Sequence, residues 1–409
     1  MQTHLADWIK DTPEGKEANA ILRKCVHCGF CNATCPTYQL LGDELDGPRG
    51  RIYLVKQVLE GVEVTARTQL HLDRCLTCRS CETTCPSGVE YGRLVDIGRK
   101  VVEDRVGRSL GARLARRAVA TLFPMTRVFG FLTRLGMALR PFVPAAFAGK
   151  LPMAIPAAGA WPTPRHARRM IALAGCVQPA LTPDTNAAAA RVLDRLGISL
   201  VEAPGAGCCG ALRFHLNYQA EGLDDMRRLI DAWWPLVEQG AETIVMTASG
   251  CGSSVREYGH HLAHDPAYAE KAQRIAALTK DLAEVIAAEA DRLPPAAAAK
   301  TRVAFHSPCT LQHWQPLNGV TEGVLARLGY ELAPVPDAHL CCGAAGTYAL
   351  FQPALSERLK RNKASALQTG LPEVVLTANV GCQTHLATAA SVPVRHWIVD
   401  LEARLARQT

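Results

Sequence analysis

Sixteen cysteines fall into four sets of four, with none left over. Cys25, Cys28, Cys31 and Cys35 lie in the run C-V-H-C-G-F-C-N-A-T-C-P, and Cys75, Cys78, Cys81 and Cys85 repeat it as C-L-T-C-R-S-C-E-T-T-C-P. Both runs have the C-x2-C-x2-C-x3-C-P spacing with which thiolates hold [4Fe–4S] clusters. The other eight form two further sets, Cys176/Cys208/Cys209/Cys251 and Cys309/Cys341/Cys342/Cys382. This use of cysteine constrains the fold more tightly than any apolar pattern, and it points to one-electron chemistry.

Within each run, three closely spaced thiolates can wrap one cube. The fourth, followed by proline, lies too far along to close the same loop, and in two-cluster ferredoxins it ligates the other cluster. The expected sets are therefore Cys25, Cys28, Cys31 and Cys85 for one [4Fe–4S] cluster, and Cys75, Cys78, Cys81 and Cys35 for the second. Structural zinc would use separated C-x2-C pairs and only four ligands per ion, which two complete runs do not resemble.

The N-terminal residues M-Q-T-H-L-A-D-W-I-K-D show no basic stretch followed by an apolar one, so secretion is not expected. In a reducing cytoplasm, many cysteines read as metal ligands rather than disulfides. The net charge of +7 is unevenly placed: from Arg105 to Pro183 there are twelve basic residues and no acidic one, so the rest of the chain is net negative. Arginines there alternate with Leu and Phe, as in Leu122, Phe123, Val128, Phe129, Phe131 and Leu132. That pattern predicts amphipathic helices broken near Pro124 and Pro141. Such a surface suits anionic lipid at a membrane face or an acidic partner subunit better than nucleic acid, for which no reader fold is present.

Four segments are expected. Residues 1–104 form an α-helical ferredoxin domain, because Ile52, Val55, Val58 and Leu59 follow helical spacing before Gly61 where small ferredoxins have only a hairpin. Residues 105–167 are the basic amphipathic segment and a proline-rich linker. Residues 168–295 and 296–409 are two copies of one α/β unit. In each, a short apolar strand leads to the first cysteine (M-I-A-L-A-G-C; R-V-A-F-H-S-P-C), then a helix, a Leu-Gly turn, a second strand and C-C-G. A long helix, a third strand (243–247; 373–377) and a last cysteine follow. The cysteine intervals are 32, 1 and 42 in the first copy and 32, 1 and 40 in the second, which marks an internal duplication. The fold class is thus α + α/β, with each C-C-G quartet at the strand ends where parallel sheets bind ligands.

Adjacent cysteines cannot both pack into one core, and a vicinal disulfide would be strained and labile. A further cluster or metal at Cys176, Cys208, Cys209 and Cys251, and at Cys309, Cys341, Cys342 and Cys382, is the better reading. Gly210 and Gly343 would then let the backbone approach that ligand. His306, His313, His339 and His385 are candidate ligands or hydrogen-bond donors beside it. G-A-G-C-C-G at 205–210 fits a dinucleotide fingerprint in form only, since its cysteines and Pro204 argue against that reading and no acidic partner follows.

K-C-V-H-C-G-F-C-N-A-T-C-P-T-Y, G-P-R-G-R-I-Y-L, R-C-L-T-C-R-S-C-E-T-T-C-P-S-G-V-E-Y-G and the paired C-C-G units together resemble the iron–sulfur subunits of bacterial glycolate oxidases (glycolate dehydrogenases) along the whole chain. The resemblance implies an electron-transfer subunit of a 2-hydroxy-acid oxidoreductase complex. FAD would sit only on partner flavoprotein subunits that oxidise glycolate to glyoxylate, and no residue of this chain would be catalytic. Electrons would leave to a quinone-type acceptor from a cytoplasmic position, peripheral on the inner face of the cell membrane. His27, Arg74 and Arg79, adjacent to ligands, would tune the clusters. Related complexes acting on glycerol-3-phosphate or lactate share this logic. So does heterodisulfide reductase, but its C-C-G unit ends in C-x2-C. Here the endings are C-G-S-S (Cys251–Ser254) and C-Q-T-H (Cys382–His385), so the last thiolate is absent.

Overall fold

The computed structural model describes residues 1–144, 149–295 and 301–407, and it divides into two compact units. One is Met1–Arg116 with His339–Lys363; the other is Arg117–Ala338 with Ala364–Thr409. The expected 295–296 boundary abuts residues 296–300, which lie outside the described residues, as do 145–148 of the basic segment.

The first unit is helical. Pro13–Lys24, Pro48–Leu59, Ala66–Asp73 and Tyr91–Val106 pack around Leu22, Val55, Leu59, Leu72, Leu94 and Val95. Pro48 opens its helix at a position where the missing N–H is harmless. Gly61, in the left-handed region, closes it by donating to Val58 O at 3.2 Å. Residues His339–Lys363 join this unit through definite bonds. Tyr348 Oη donates to Arg74 O (3.1 Å), Arg358 Nη2 donates to Leu40 O (3.1 Å), and Arg116 lies over the Phe351 ring at 4.8 Å.

The basic segment folds into Leu110–Leu122 and Thr126–Ala138, broken at Pro124, with a 3₁₀ turn at Arg140–Phe142. No helix among the described residues is long and apolar enough to cross a membrane.

The second unit holds two four-stranded parallel sheets of identical order. Strands β1 (Arg168–Ala172), β2 (Ile198–Glu202), β3 (Ile244–Met246) and β4 (Thr279–Asp281) run in the order β2-β1-β3-β4. Strands β5 (Arg302–His306), β6 (Glu331–Leu332), β7 (Val374–Thr377) and β8 (Val394–His396) repeat this as β6-β5-β7-β8. Three strands of each sheet fall where the apolar runs predict them. The fourth, T-K-D and V-R-H, are too short and too polar to be read from the sequence. Helix Asp184–Arg195 packs on Trp397–Ala406, and Leu282–Glu289 on Val320–Arg327. Each helix of one copy thus meets the non-equivalent helix of the other, giving the duplication a local two-fold. One continuous core results, running from Leu193, Ile198 and Ile286 to Phe305, Leu325 and Trp397.

Candidate functional site

The two ferredoxin-type runs fold into matched loops. His27 and Gly29 in the first, and Thr77 and Arg79 in the second, all adopt left-handed backbone angles (φ 61, 88, 52 and 58°). Such alternation turns successive N–H groups toward one concave centre, a cradle for an anionic group. Thr77 N donates to Cys75 Sγ at 3.3 Å in this way. Each loop passes into a one-turn helix, Phe30–Ala33 or Ser80–Thr83, and then to the cysteine before proline. The turns are tied by Thr34 Oγ1 donating to Ser80 O (3.3 Å) and Thr84 Oγ1 donating to Thr34 Oγ1 (3.2 Å).

Two cavities lie between these loops. One is lined by Cys25, Cys28, Cys31 and Cys85 together with Cys81. The other is lined by Cys35, Cys75, Cys78 and again Cys81. Each cysteine before proline therefore faces the cavity of the opposite run. Burial pushes the Cys31 thiol up to about 11, helped by crowding from Cys25 and Cys85, and burial with Cys78 and Cys75 nearby raises Cys81 well above the ordinary thiol range. Crowded sulfurs that resist ionising together are relieved by a cationic centre, so the donor set fits iron–sulfur clusters. At Cys75, burial also pushes the thiol up, but the charges of Arg51 and Arg99 outweigh it and the net shift is downward.

Behind the second cavity lies a buried charge network that the sequence does not mark. Arg51 donates through Nε to His71 O (2.8 Å) and through Nη1 to Thr37 Oγ1 (3.1 Å). The Thr37 hydroxyl lies 3.3 Å from Cys35 Sγ and donates to Asp46 O at 2.8 Å. Asp46 accepts from Arg74 Nη1 at 2.8 Å and pairs with Arg51 Nη2 at 3.4 Å. Arg99 Nη1 donates to Thr77 Oγ1 at 2.8 Å. Of the three modulators expected from the sequence, Arg74 enters this network. His27 is exposed against the Tyr53 ring at 5.9 Å, and Arg79 lies 3.8 Å from Glu82.

The first C-C-G quartet lies at the C-terminal ends of β1, β2 and β3. Cys176 follows β1, Cys208 and Cys209 follow β2, and Cys251 sits in helix Ser249–Arg256 after β3. Connections leave β1 toward β2 on one side and reach β3 on the other, so this is the switch point where parallel sheets bind ligands. The neighbouring Cys208, together with burial, pushes the Cys176 thiol well above the ordinary thiol range; at Cys209 the adjacent Cys208 opposes the rise, but Cys251 and burial outweigh it. This donor set also fits a metal or cluster.

Of the second quartet, Cys309 and Cys382 belong to the second compact unit, whereas Cys341 and Cys342 belong to the first. Gly343 N donates to Cys341 Sγ at 3.4 Å. Among the candidate histidines, His306 ends β5, buried, with Nδ1 2.9 Å from Thr377 Oγ1. His313 lies in the π-helical turn Thr310–Trp314, His385 in helix Val380–Leu386, and His339 at the start of the segment that joins the first unit.

The C-C-G glycines have a packing role of their own. At Gly210 (φ 83°) a Cβ would lie 2.5 Å from Gly222 O, and at Gly343 (φ 88°) it would lie 2.8 Å from Ser356 O. In both copies the close approach is to the helix that follows, so the glycine seats the loop on that helix. Gly210→Ala is expected to destabilise the chain by about 2–4 kcal/mol, left-handed strain plus overpacking, measured by urea unfolding.

Residues 21–89 match the family model of the 4Fe–4S dicluster domain, and residues 171–256 and 303–387 each match that of the cysteine-rich domain. Over the full length of both chains, the sequence is 56% identical to the glycolate oxidase iron–sulfur subunit of Escherichia coli. It is 30% identical to the probable glycolate oxidase iron–sulfur subunit of Bacillus subtilis, over 88% of this chain and 87% of the relative. Lactate utilization protein A of Bacillus licheniformis is 28% identical over 51% of this chain and 85% of that one.

Proposed function

The chain belongs to the family of glycolate oxidase iron–sulfur subunits, and we propose that it takes single electrons from a partner flavoprotein oxidising glycolate to glyoxylate and passes them to a quinone-type acceptor. The observation that carries this reading is the pair of cavities, each reached by three cysteines of one run and the proline-preceding cysteine of the other, with Cys81 shared between them. Cys25, Cys28, Cys31 and Cys85 would hold one [4Fe–4S] cluster, and Cys75, Cys78, Cys81 and Cys35 the second. When bound, these clusters divide a two-electron oxidation into one-electron steps. The left-handed loops direct N–H groups at the sulfurs, while Leu76, Tyr91 and Ile52 keep water from their inner side. No residue of the chain needs to move a substrate proton, because that chemistry belongs to the flavin.

Cys176, Cys208, Cys209 and Cys251 would hold a further cluster or metal, and the quartet of Cys309, Cys341, Cys342 and Cys382 is its duplicate. Peripheral attachment to the inner face of the membrane would use helix Thr126–Ala138 and the turn after it. There Phe131, Leu135, Leu139 and Phe142 are exposed among Arg127 and Arg134. The similarity to a lactate utilization protein favours lactate as the alternative substrate of the complex.

Anaerobic co-purification with neighbouring flavoproteins tests this reading. About eight irons per chain, cubane EPR signals and glycolate-driven reduction of those signals are expected, and filled C-C-G sites would add to that count. Absence of cubane signals, or reduction by lactate but not glycolate, would overturn it.

A further inference from the structure

The two ferredoxin-type loops share one motif but not one environment. In the first, Cys28 is exposed and its neighbours Val26 and Phe30 are 68% and 62% exposed. At the matched positions of the second, Leu76 is 6% and Ser80 2% exposed. Apolar side chains beside an outward-facing ligand loop provide a contact over which a carrier on another protein can come close, and electron transfer weakens steeply with distance.

Charge separates the loops as well. Arg51, Arg74 and Arg99 stand behind Cys35 and Cys75; Asp46 pairs with Arg51 and Arg74, while Arg99 donates to the neutral oxygens of Leu72, Cys75 and Thr77, so guanidinium charge is concentrated there. Near the first loop the side-chain cations are matched, Lys24 by Glu90 at 2.8 Å and Arg49 by Glu44 at 2.6 Å, while the N-terminal ammonium donates to Cys25 O at 2.7 Å. Sulfur hydrogen bonds follow the same division. Cys75 Sγ accepts from Thr77 N (3.3 Å) and Tyr91 Oη (3.6 Å), and Thr37 Oγ1 lies 3.3 Å from Cys35 Sγ. In the first loop the His27 N–H favours the Cys25 thiolate, and Cys31 Sγ makes only a long approach to Asn32 Oδ1, at 4.0 Å, so fewer donors reach its sulfurs. A cluster gains negative charge on reduction. Burial alone would oppose that gain, but the same low dielectric strengthens the guanidinium charges, and hydrogen bonds to sulfur add to them.

We propose that the two loops are redox-inequivalent: the outward Cys25–Cys31 loop is the port that receives single electrons from the flavoprotein partner. The Cys75–Cys81 loop, made the stronger electron acceptor by Arg51 and Arg99, draws them inward. This rests on the two-cluster reading above. With clusters held by these cysteines, each transfer would carry one electron from the partner's flavin to the outer site and then to the inner one, oxidising the flavin and making or breaking no bond in this chain. Tyr348, whose hydroxyl donates to Arg74 O at 3.1 Å, one residue before Cys75, ties this second loop to the segment that carries Cys341. Arg51, Arg99 and Tyr91 are positioning residues, acting on potential through charge and hydrogen bonds.

The test is an EPR-monitored redox titration of the complex, with glycolate-driven reduction followed in parallel. Two separated potentials are expected in the wild type. Arg99→Gln should lower only the higher one, by about tenfold in the reduction equilibrium, ~59 mV for one electron. Tyr91→Phe, a milder change that keeps the ring, should lower the same potential by less. Phe30→Glu should slow glycolate-driven reduction about tenfold or more while leaving both potentials and the iron content in place, a combination that misfolding would not give. One unsplit potential, a shift of the lower potential, or unchanged partner-driven reduction in Phe30→Glu would overturn the proposal. Iron near eight with unsplit potentials would do so while leaving the two-cluster reading intact, whereas missing cubane signals would remove that reading itself.

Discussion

Cys35→Ser is expected to remove the EPR signal that Cys78→Ser removes, and Cys85→Ser the one lost with Cys28→Ser. Each variant should lower iron by roughly four per chain, one cube's worth. The reason is geometric: Cys35 lines the cavity of Cys75, Cys78 and Cys81, while Cys85 lines that of Cys25, Cys28 and Cys31. Proline after each of these cysteines starts a new direction, as at Pro36, where helix Pro36–Leu41 leaves the loop. Serine is close in size to cysteine but a far weaker ligand for iron, so packing is retained while the site loses one of its four thiolates. Substrate-driven electron transfer should fall by at least ~100-fold in all four variants, since changes even to residues behind a metal ligand cost 10–100-fold. If the signal lost with Cys35→Ser is instead the one lost with Cys28→Ser, each run closes its own cluster and the exchanged assignment is wrong.

The crossed lining of the two cavities is anticipated by the spacing of the runs together with the two-cluster ferredoxin pattern, and the duplicated sheets are legible in apolar runs that repeat with the cysteines. The charge network is not legible. In G-P-R-G-R-I-Y-L nothing separates Arg49 from Arg51, yet Arg49 pairs with Glu44 while Arg51 lies on the buried side of its helix with Ile52 and Val55. Helical phase decides which arginine enters, and its partners, Asp46, His71 and Thr37, come from three other segments. The joining of His339–Lys363 to the helical unit is hidden for a similar reason. Tyr348 and Phe351 find their partners on Arg74 and Arg116, far away in the chain, and no local pattern encodes that pairing. The short strands β4 and β8 escape detection because three residues, two or all of them charged or polar, make no apolar run. Their structural mark is the side chain that ends each of them.

That side chain is Asp281 in one copy and His396 in the other, and the two should give opposite pH dependences of stability. Each ends the fourth strand of its sheet, is buried, and caps the following helix. Asp281 Oδ1 accepts from Ala283 N at 2.9 Å; His396 Nδ1 accepts from Ile398 N at 3.3 Å while its Nε2–H donates to Thr247 O at 2.8 Å. Burial pushes Asp281 up to about 7, with Ala283 N–H opposing, nearby Glu284 adding and Arg256 opposing. Burial pushes His396 down to about 4. For Asp281 the folded value exceeds the unfolded one, so its contribution is complete below about pH 4 and is lost as pH rises through 7. For His396 the folded value is the lower, so its contribution is complete above about pH 6.5 and is lost as pH falls toward 4. Each change is on the order of 3–4 kcal/mol, and between these limits the two offset one another. Asp281→Asn keeps the cap and replaces one neutral donor by another, since the protonated carboxyl already places an O–H at the buried Oδ2. Relative to wild type, this variant should gain about 2 kcal/mol or more at pH 8, where the carboxyl must ionise or hold its proton at a cost. It should lose that advantage progressively toward pH 4, where His396 is left as the unbalanced group. Urea unfolding of both proteins across pH 4–8 measures the difference directly. Parallel profiles would mean that Asp281 is ionised in the folded chain and that burial does not govern it.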